Sequence, residues 1–302
     1  MAEQIKITFL GTGSAVPTAR RNHSATLIQY KDETILLDCG EGTQRQFRKA
    51  KISMGKITKI LLSHWHGDHV LGLPGMFQTM VMGNYNKKLE VYGPIGSKKK
   101  MREYLDLFGI DSRKLNLEVY EVEEKIFFEN SDFYLESKSM DHSSPTNGYS
   151  FVIKNKNRID KEKLKKLNIP NSPLIGELVK GKTVKIGNKK IDGKKLMYFE
   201  KGRKVSFVVD SRYNENAVKL SKDADILICE SSFAEDEEKT AKDYGHMTSR
   251  EAATIAKKAK VNSLALIHLS QRYDTIPKKI LSEAKKTFKN TVVVEDLDEV
   301  VL

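Results

Sequence analysis

The chain has 302 residues, 39% hydrophobic and 30% charged, which describes a soluble globular protein able to bury a substantial core as one large domain or two ordinary ones. No apolar run approaches the roughly 18 residues needed to cross a bilayer, and Met1-Ala2-Glu3-Gln4-Ile5 lacks the charged-then-apolar pattern of a secretion signal, so a cytoplasmic location is expected. Two cysteines, Cys39 and Cys229, each after a strand-like run, exclude a disulfide framework and read as buried, reduced thiols.

Taken in order, the first half is rich in strand patterns. Ile5–Leu10 leads into Gly11-Thr12-Gly13, and Ala25–Ile28 with Thr34–Leu37 flank Lys31-Asp32 as a hairpin. Ile57–Leu62 reads as a buried strand, and the apolar spacing of Val70, Leu73, Phe77, Met80 and Val81 predicts a helix after it. Strands are expected at Leu89–Tyr92, Leu115–Tyr120 and Phe133–Leu135, with a helix over Lys98–Phe108. A second series starts at Val205–Asp210, continues through Ala224–Ile228 and Leu264–Ile267, and ends in a strand region at Val292–Leu302. Thr248-Ser249-Arg250-Glu251 has the capping-box pattern before a helix through Ala259, and another helix is expected near Lys278–Phe288. Two successive sets of strands and helices predict an α/β fold of two mixed sheets with helices outside, a four-layer sandwich occupying residues 1–302.

Between the two series lies the source of the net charge of +12. Residues Lys154 to Lys204 hold 17 Lys/Arg against 5 Asp/Glu, and the remainder is balanced at 35 of each. Lys161–Leu167 suggests a short helix stopped by Asn168-Ile169-Pro170. Beyond it Pro173-Leu174-Ile175-Gly176 and glycines 181, 187, 193 and 202 predict an irregular, protruding arm without a core of its own. Such a segment suits phosphate neutralisation, and equally a solvated lysine-rich excursion.

The chemistry is concentrated in Ser63-His64-Trp65-His66-Gly67-Asp68-His69, which places three of the seven histidines and a carboxylate on the turn between a strand and a helix. Imidazole nitrogen and carboxylate oxygen are zinc ligands, but four on one turn cannot all serve one tetrahedral ion. Further donors stand at strand ends: His142, Asp210 and His268. Together these seven residues furnish a two-metal site.

His64-x-His66-x-Asp68-His69 resembles the signature of the metallo-β-lactamase superfamily, and the fuller set of motifs resembles its ribonuclease Z family. Phe9–Gly13, Pro17–Asn22, His142-Ser143-Ser144-Pro145, Asp210-Ser211-Arg212, Glu230-Ser231-Ser232-Phe233, His246-Met247-Thr248 and His268-x-Ser270-x-Arg272-Tyr273 are each similar to a family motif. The resemblance implies two zinc ions per subunit, one held by His64, His66 and His142, the other by Asp68, His69 and His268, with Asp210 bridging. It further implies an endoribonuclease that removes 3′ trailers from precursor tRNA by attack of metal-bound hydroxide on the phosphodiester. In that mechanism Asp68 orients the nucleophile and His246, held by Glu230, protonates the departing oxygen. Arg21, Asn22, Ser270 and Arg272 become candidate substrate contacts. The arm at 154–204 becomes a tRNA-binding exosite within a single catalytic domain, and in a homodimer the arm of one subunit serves the other's active site.

The sequence departs from the family pattern at Ala19, where a lysine is usual, at Cys229, where histidine is frequent, and in the modest glycine and proline content of the arm. A small-molecule phosphodiesterase, thioesterase or lactonase of the same superfamily would use the same ligands without needing the arm. A non-catalytic nucleic-acid-binding protein with structural zinc would need a closed four-ligand shell instead.

Overall fold

The computed structural model describes residues 3–169, 172–186 and 189–302. Among these, two seven-stranded sheets stack face to face. The first runs in the order Glu299–Val301, Lys6–Gly11, Ala25–Tyr30, Glu33–Leu37, Lys59–Leu61, Leu89–Gly93, Leu117–Glu121. Its first four strands pair antiparallel and its last three join in parallel. The second sheet, Thr291–Val293, Ser263–Ile267, Ile226–Glu230, Lys204–Val208, Thr146–Ile153, Phe133–Met140, Lys125–Glu129, also has a parallel and an antiparallel half.

Ile226–Glu230 is buried at every position, as expected of a parallel strand covered on both faces, whereas Phe133–Met140 alternates. Between the sheets Phe9, Tyr149, Phe151 and Phe207 join one apolar layer. Outside the first sheet, helices Thr43–Lys49, Leu73–Met82 and Ser97–Leu107 cover Leu36, Ile60 and Val91. Outside the second, Glu215–Ser221, Ser249–Ala259 and Pro277–Thr287 cover Leu227, Leu264 and Leu266. The four-layer sandwich read from the sequence is therefore the architecture found. Burial of each large apolar side chain contributes on the order of 1.5–3 kcal/mol.

Differences from the sequence reading have local causes. The helix expected across Val70–Val81 is two, Gly67–Val70 and Leu73–Met82, because the chain must pass close to the Cys39–Gly40 turn. A Cβ at Gly72 would lie 2.2 Å from the Gly40 carbonyl oxygen, and the Gly72 amide donates to the Cys39 carbonyl at 2.9 Å. The region Val292–Leu302 divides between the sheets, with Thr291–Val293 in the second and Glu299–Val301 closing the first. Strands Lys125–Glu129 and Thr146–Ile153 and helix Thr43–Lys49 had no decisive pattern in the sequence. The capping box of Thr248 and Glu251 is formed as expected, and both cysteines are buried.

The arm is the main correction. It is not an irregular excursion without a core: Leu164, Leu178, Val184 and Leu196 are buried together, with Ile159, Ile169, Ile175, Ile186 and Ile191 packed around them. Helix Lys161–Lys166 is capped by the Asp160 side chain, and helix Leu174–Val179 forms where Pro173 and Gly176 suggested none. Two ribbons, Lys156–Ile159 with Met197–Glu200 and Thr183–Ile186 with Lys189–Asp192, complete it. Its isoleucines and leucines are scattered one or two at a time among lysines, so their convergence is a tertiary effect. Pro170 and Gly187, read as breakers, lie outside the described residues.

Candidate metal centre

The parallel halves of both sheets aim their carboxyl ends at one seam, where ligands collect in open α/β sheets. The first sheet delivers Asp38 after Leu37 and Ser63-His64 after Leu61, and the second delivers Asp210, Glu230 and His268. Asp38, Asp210 and His268 each adopt a left-handed backbone, with φ of 57°, 46° and 57°. Asp and His enter this region more readily than most residues, and strain of this kind collects at functional sites.

Six of the seven histidines meet here, the exception being His23. His64, His66, His142 and Asp210 form one group of donors, and Asp68, His69, Asp210 and His268 form a second that shares Asp210. Asp210 Oδ2 lies 3.5 Å from His64 Nε2 and 3.8 Å from His142 Nε2, while its Oδ1 lies 3.4 Å from His69 Nε2 and 3.1 Å from His268 Nε2. Asp68 Oδ2 is 3.2 Å from His69 Nε2 and 3.4 Å from His268 Nε2. Ligand atoms about 2.1 Å from a tetrahedral ion stand roughly 3.4 Å apart, and these separations of 3.1–3.8 Å around Asp210 and Asp68 are compatible with metal binding.

The chemistry of the donors fits a cation. His64 Nε2, His69 Nε2 and Asp210 Oδ1 are buried without a hydrogen-bond partner among the described residues, an arrangement that costs about 1–3 kcal/mol for each isolated polar group. Burial opposes charge on Asp68 and Asp210, yet the facing imidazoles of His268 and His69 hold both carboxyls well below their ordinary range. Burial, with the nearby His69, drives His64 well below the ordinary histidine value, leaving it neutral as a ligand must be. At His69 burial is outweighed by Asp210 and Asp38, which hold the imidazole well above its ordinary value and mark a place where positive charge is stabilised.

Outer partners fix each ring. Asp38 Oδ2 accepts from His69 Nδ1 at 2.7 Å and from Ser63 Oγ at 2.8 Å, while its Oδ1 accepts from the Ser63 amide at 2.7 Å. The Gly245 carbonyl accepts from His142 Nδ1 at 2.9 Å, and Ser232 Oγ lies 3.0 Å from His268 Nδ1. These contacts leave the Nε2 atoms of His69, His142 and His268 facing inward, as second partners of metal-bound histidines do. None of Asp38, Ser63, Ser232 and Gly245 was read from the sequence as a partner of these rings, Ser63 and Ser232 entering only as members of motifs. Asp38 alone had a signal, being a strand-end carboxylate like Asp210.

One step from the ligands, Glu230 is fully buried and accepts from the Ser211 amide at 2.6 Å, Ser232 Oγ at 2.8 Å and the Met247 amide at 3.2 Å. Its Oε1 lies 3.1 Å from His246 Nδ1. Burial works against charge on both residues, but their attraction holds the Glu230 carboxyl below its ordinary value and raises His246 to about 9. The Glu230 pairing thus favours the protonated form of His246, which stands beside His142 and His268 with centroids 5.4 Å from each.

The candidate substrate contacts separate. Ser270 and Arg272 line an open cleft of about 200 Å³ beside His246. Arg21 does not join them: it is 3% exposed, and its guanidinium donates to Thr12 Oγ1 and the Val294 carbonyl, both at 2.7 Å. Asn22 is likewise engaged, its side chain donating to the Glu41 carbonyl at 2.6 Å and its amide to Asp296 Oδ2 at 2.7 Å. Both hold the loop in shape instead of presenting it to a ligand. The pair was expected at the site because its position in the chain matched; position in the chain does not show which way a side chain turns.

Comparison with known proteins bears on the family and the fold. Residues 5–162 match the family described as anti-Pycsar protein Apyc1. The protein named ribonuclease Z of Methanosarcina acetivorans is 37% identical over 300 residues, covering 98% of this chain and 97% of that one. Among solved structures, the short form of human tRNase Z superposes with a TM-score of 0.70 at 26% identity, covering 98% of each chain. The metallo-β-lactamase fold protein YhfI of Bacillus subtilis gives 0.73 at 20% identity, covering 99% of this chain and 100% of that one, a likeness of fold.

Proposed function

The chain belongs to the ribonuclease Z family, with its first half also inside the Apyc1 family model, and we propose that it cuts precursor tRNA on the 3′ side to release the trailer. The observation that carries this reading is the adjacency of two devices: a seven-residue ligand cluster, and a histidine cation set one residue-layer away by a buried glutamate. Two zinc ions held by His64, His66, His142, Asp68, His69 and His268, with Asp210 shared, would supply Lewis acidity toward water and the phosphodiester.

The chain's own residues do the rest. Asp68, with its carboxyl kept ionised, orients the attacking water and accepts its proton. As the new P–O bond forms, the bond from phosphorus to the upstream 3′ oxygen breaks. His246 gives its proton to that oxygen, and Glu230 stabilises the cation beforehand and fixes its ring. The products are an upstream 3′-hydroxyl and a downstream 5′-phosphate. Arg272, 51% exposed on its side chain, and Ser270 face the cleft where the RNA backbone enters.

The arm at 154–204 is assigned to the body of the tRNA, away from the cut, with counterion release supplying its affinity. A homodimer in the cytoplasm is part of the proposal. Met82 and Leu107, 83% and 74% exposed at helix ends, and the nearby groove lined by Val81 and Ile110 beside Gln78, Asp111 and Lys114, support this reading by leaving apolar surface for a second copy. Among the described residues no helix is long and apolar enough to cross a membrane.

The test compares a precursor tRNA with bis(p-nitrophenyl) phosphate, each with and without chelator. Chelator-sensitive release of an intact trailer supports the reading. Hydrolysis of the small ester alone would assign the chain to small-molecule chemistry, and RNA binding without cleavage of either would make it a structural-zinc binder.

A further inference from the structure

The cleft beside His246 has a composition that the chemistry above does not use. Phe233 and Tyr244 stand on its wall with ring centroids 6.5 Å apart and planes 17° from parallel, and Val16 also lines it. Tyr244 is 66% exposed, a large side chain left uncovered. It ends helix Glu238–Tyr244, and the next residue, Gly245, takes a left-handed backbone and holds His142 through its carbonyl. Phe233 is fixed from beneath, its backbone bonded to Met247 and Ser249, and the Arg272 guanidinium lies 5.6 Å from its ring centroid. An aromatic wall, a cation over one ring and an apolar side chain beside them form a surface on which a flat heterocycle stacks.

We infer that this cleft is a nucleobase subsite for the nucleotide immediately upstream of the scissile phosphate, with Tyr244 and Phe233 as the stacking platform. The placement follows from His246, which lines the same cleft. If His246 protonates the departing 3′ oxygen, the ribose carrying that oxygen lies against it, and the base of that ribose has the cleft as its neighbouring space. The occupant is a base with a π-face; the wall offers stacking area and the Arg272 guanidinium, which also lies 3.6 Å from Glu237 Oε1, so all four bases fit and their order follows stacking strength. The subsite rests on the nuclease reading, and it adds a requirement that reading does not make: the enzyme must feel the presence of one particular base.

Two precursor RNAs decide it, identical except that one is abasic at the nucleotide upstream of the cut. The wild-type enzyme is expected to lose about tenfold in kcat/KM on the abasic RNA, the scale of one lost base–aromatic stack. Tyr244→Ala is expected to lose a similar factor on the intact RNA and to show no further loss on the abasic one, since both changes remove the same contact. Tyr244→Trp should restore the intact-RNA rate. Indifference of the wild type to the missing base would overturn the subsite, and so would losses that multiply in the double combination. A wild type that cuts neither RNA while hydrolysing bis(p-nitrophenyl) phosphate would instead overturn the nuclease reading beneath it.

Discussion

Replacing Asp38 by asparagine tests how the metal centre is built without touching a ligand. The carboxylate accepts three hydrogen bonds, from the Ser63 amide, Ser63 Oγ and His69 Nδ1. An amide of the same shape has one oxygen. Turned so that its oxygen serves His69, it sets its NH2 against the Ser63 amide, donor against donor, in a fully buried place. Turned the other way, it donates to His69 Nδ1 and forces the proton onto Nε2, the atom that points at Asp68 and Asp210. Either outcome weakens a ligand or strains its turn. Loss of an outer partner of this kind lowers metal affinity about 10- to 100-fold, roughly 1.4–2.8 kcal/mol. Competition with a chromogenic chelator, followed by elemental analysis, should show one of two zinc ions bound 10- to 100-fold more weakly in Asp38→Asn and the other nearly unchanged. Two ions bound within twofold of the parent would refute the argument that Asp38 sets the tautomer of His69.

Asp68→Ala should abolish cleavage with tRNA binding near normal, as measured by filter binding beside a cleavage assay, because the residue contributes a ligand and a proton acceptor but no RNA contact. His246→Ala should lower turnover by about 10²–10⁴ with both metals retained; loss of metal would make His246 a ligand and void its role as acid. Replacing residues 160–196 by a tight turn keeps the ribbon of Lys156–Ile159 and Met197–Glu200 and removes eleven lysines against four acidic residues. Precursor affinity should fall and its salt dependence flatten, while hydrolysis of a small phosphodiester stays within a few-fold. Leu178→Ala, at a fully buried site in the arm, should cost about 2–5 kcal/mol and open the arm to protease with the main thermal transition unmoved; a fall in the main transition would mean that arm and sandwich unfold as one.

Most of the candidate donors were legible in the sequence because four share the turn His64–His69 and others stand where an apolar run stops abruptly at a His or Asp. Asp210 and His268 were found that way, and Asp38 had the same mark. Ser232 and the Gly245 carbonyl had none, since a hydroxyl and a backbone oxygen become partners only when two distant loops meet. Arg21 shows the opposite failure: a basic residue in a motif reads as a substrate contact until its burial against Thr12 and Val294 is seen. The arm's core escaped for a related reason, since Leu164, Leu178, Val184 and Leu196 follow no single period.

The seam between the sheets has a consequence for the life of the molecule. His64, His66, Asp68 and His69 come from the first half, and His142, Asp210 and His268 from chain that enters or borders the second. An ion seated among them is bonded to both halves at once, so its binding free energy also opposes their separation. Starvation for the metal would then act on the amount of protein as well as on its rate: a chain without its ions would part more often along the seam and meet cellular proteases there. Metal supply and enzyme abundance would then become one variable, through the seven side chains placed to hold the ions.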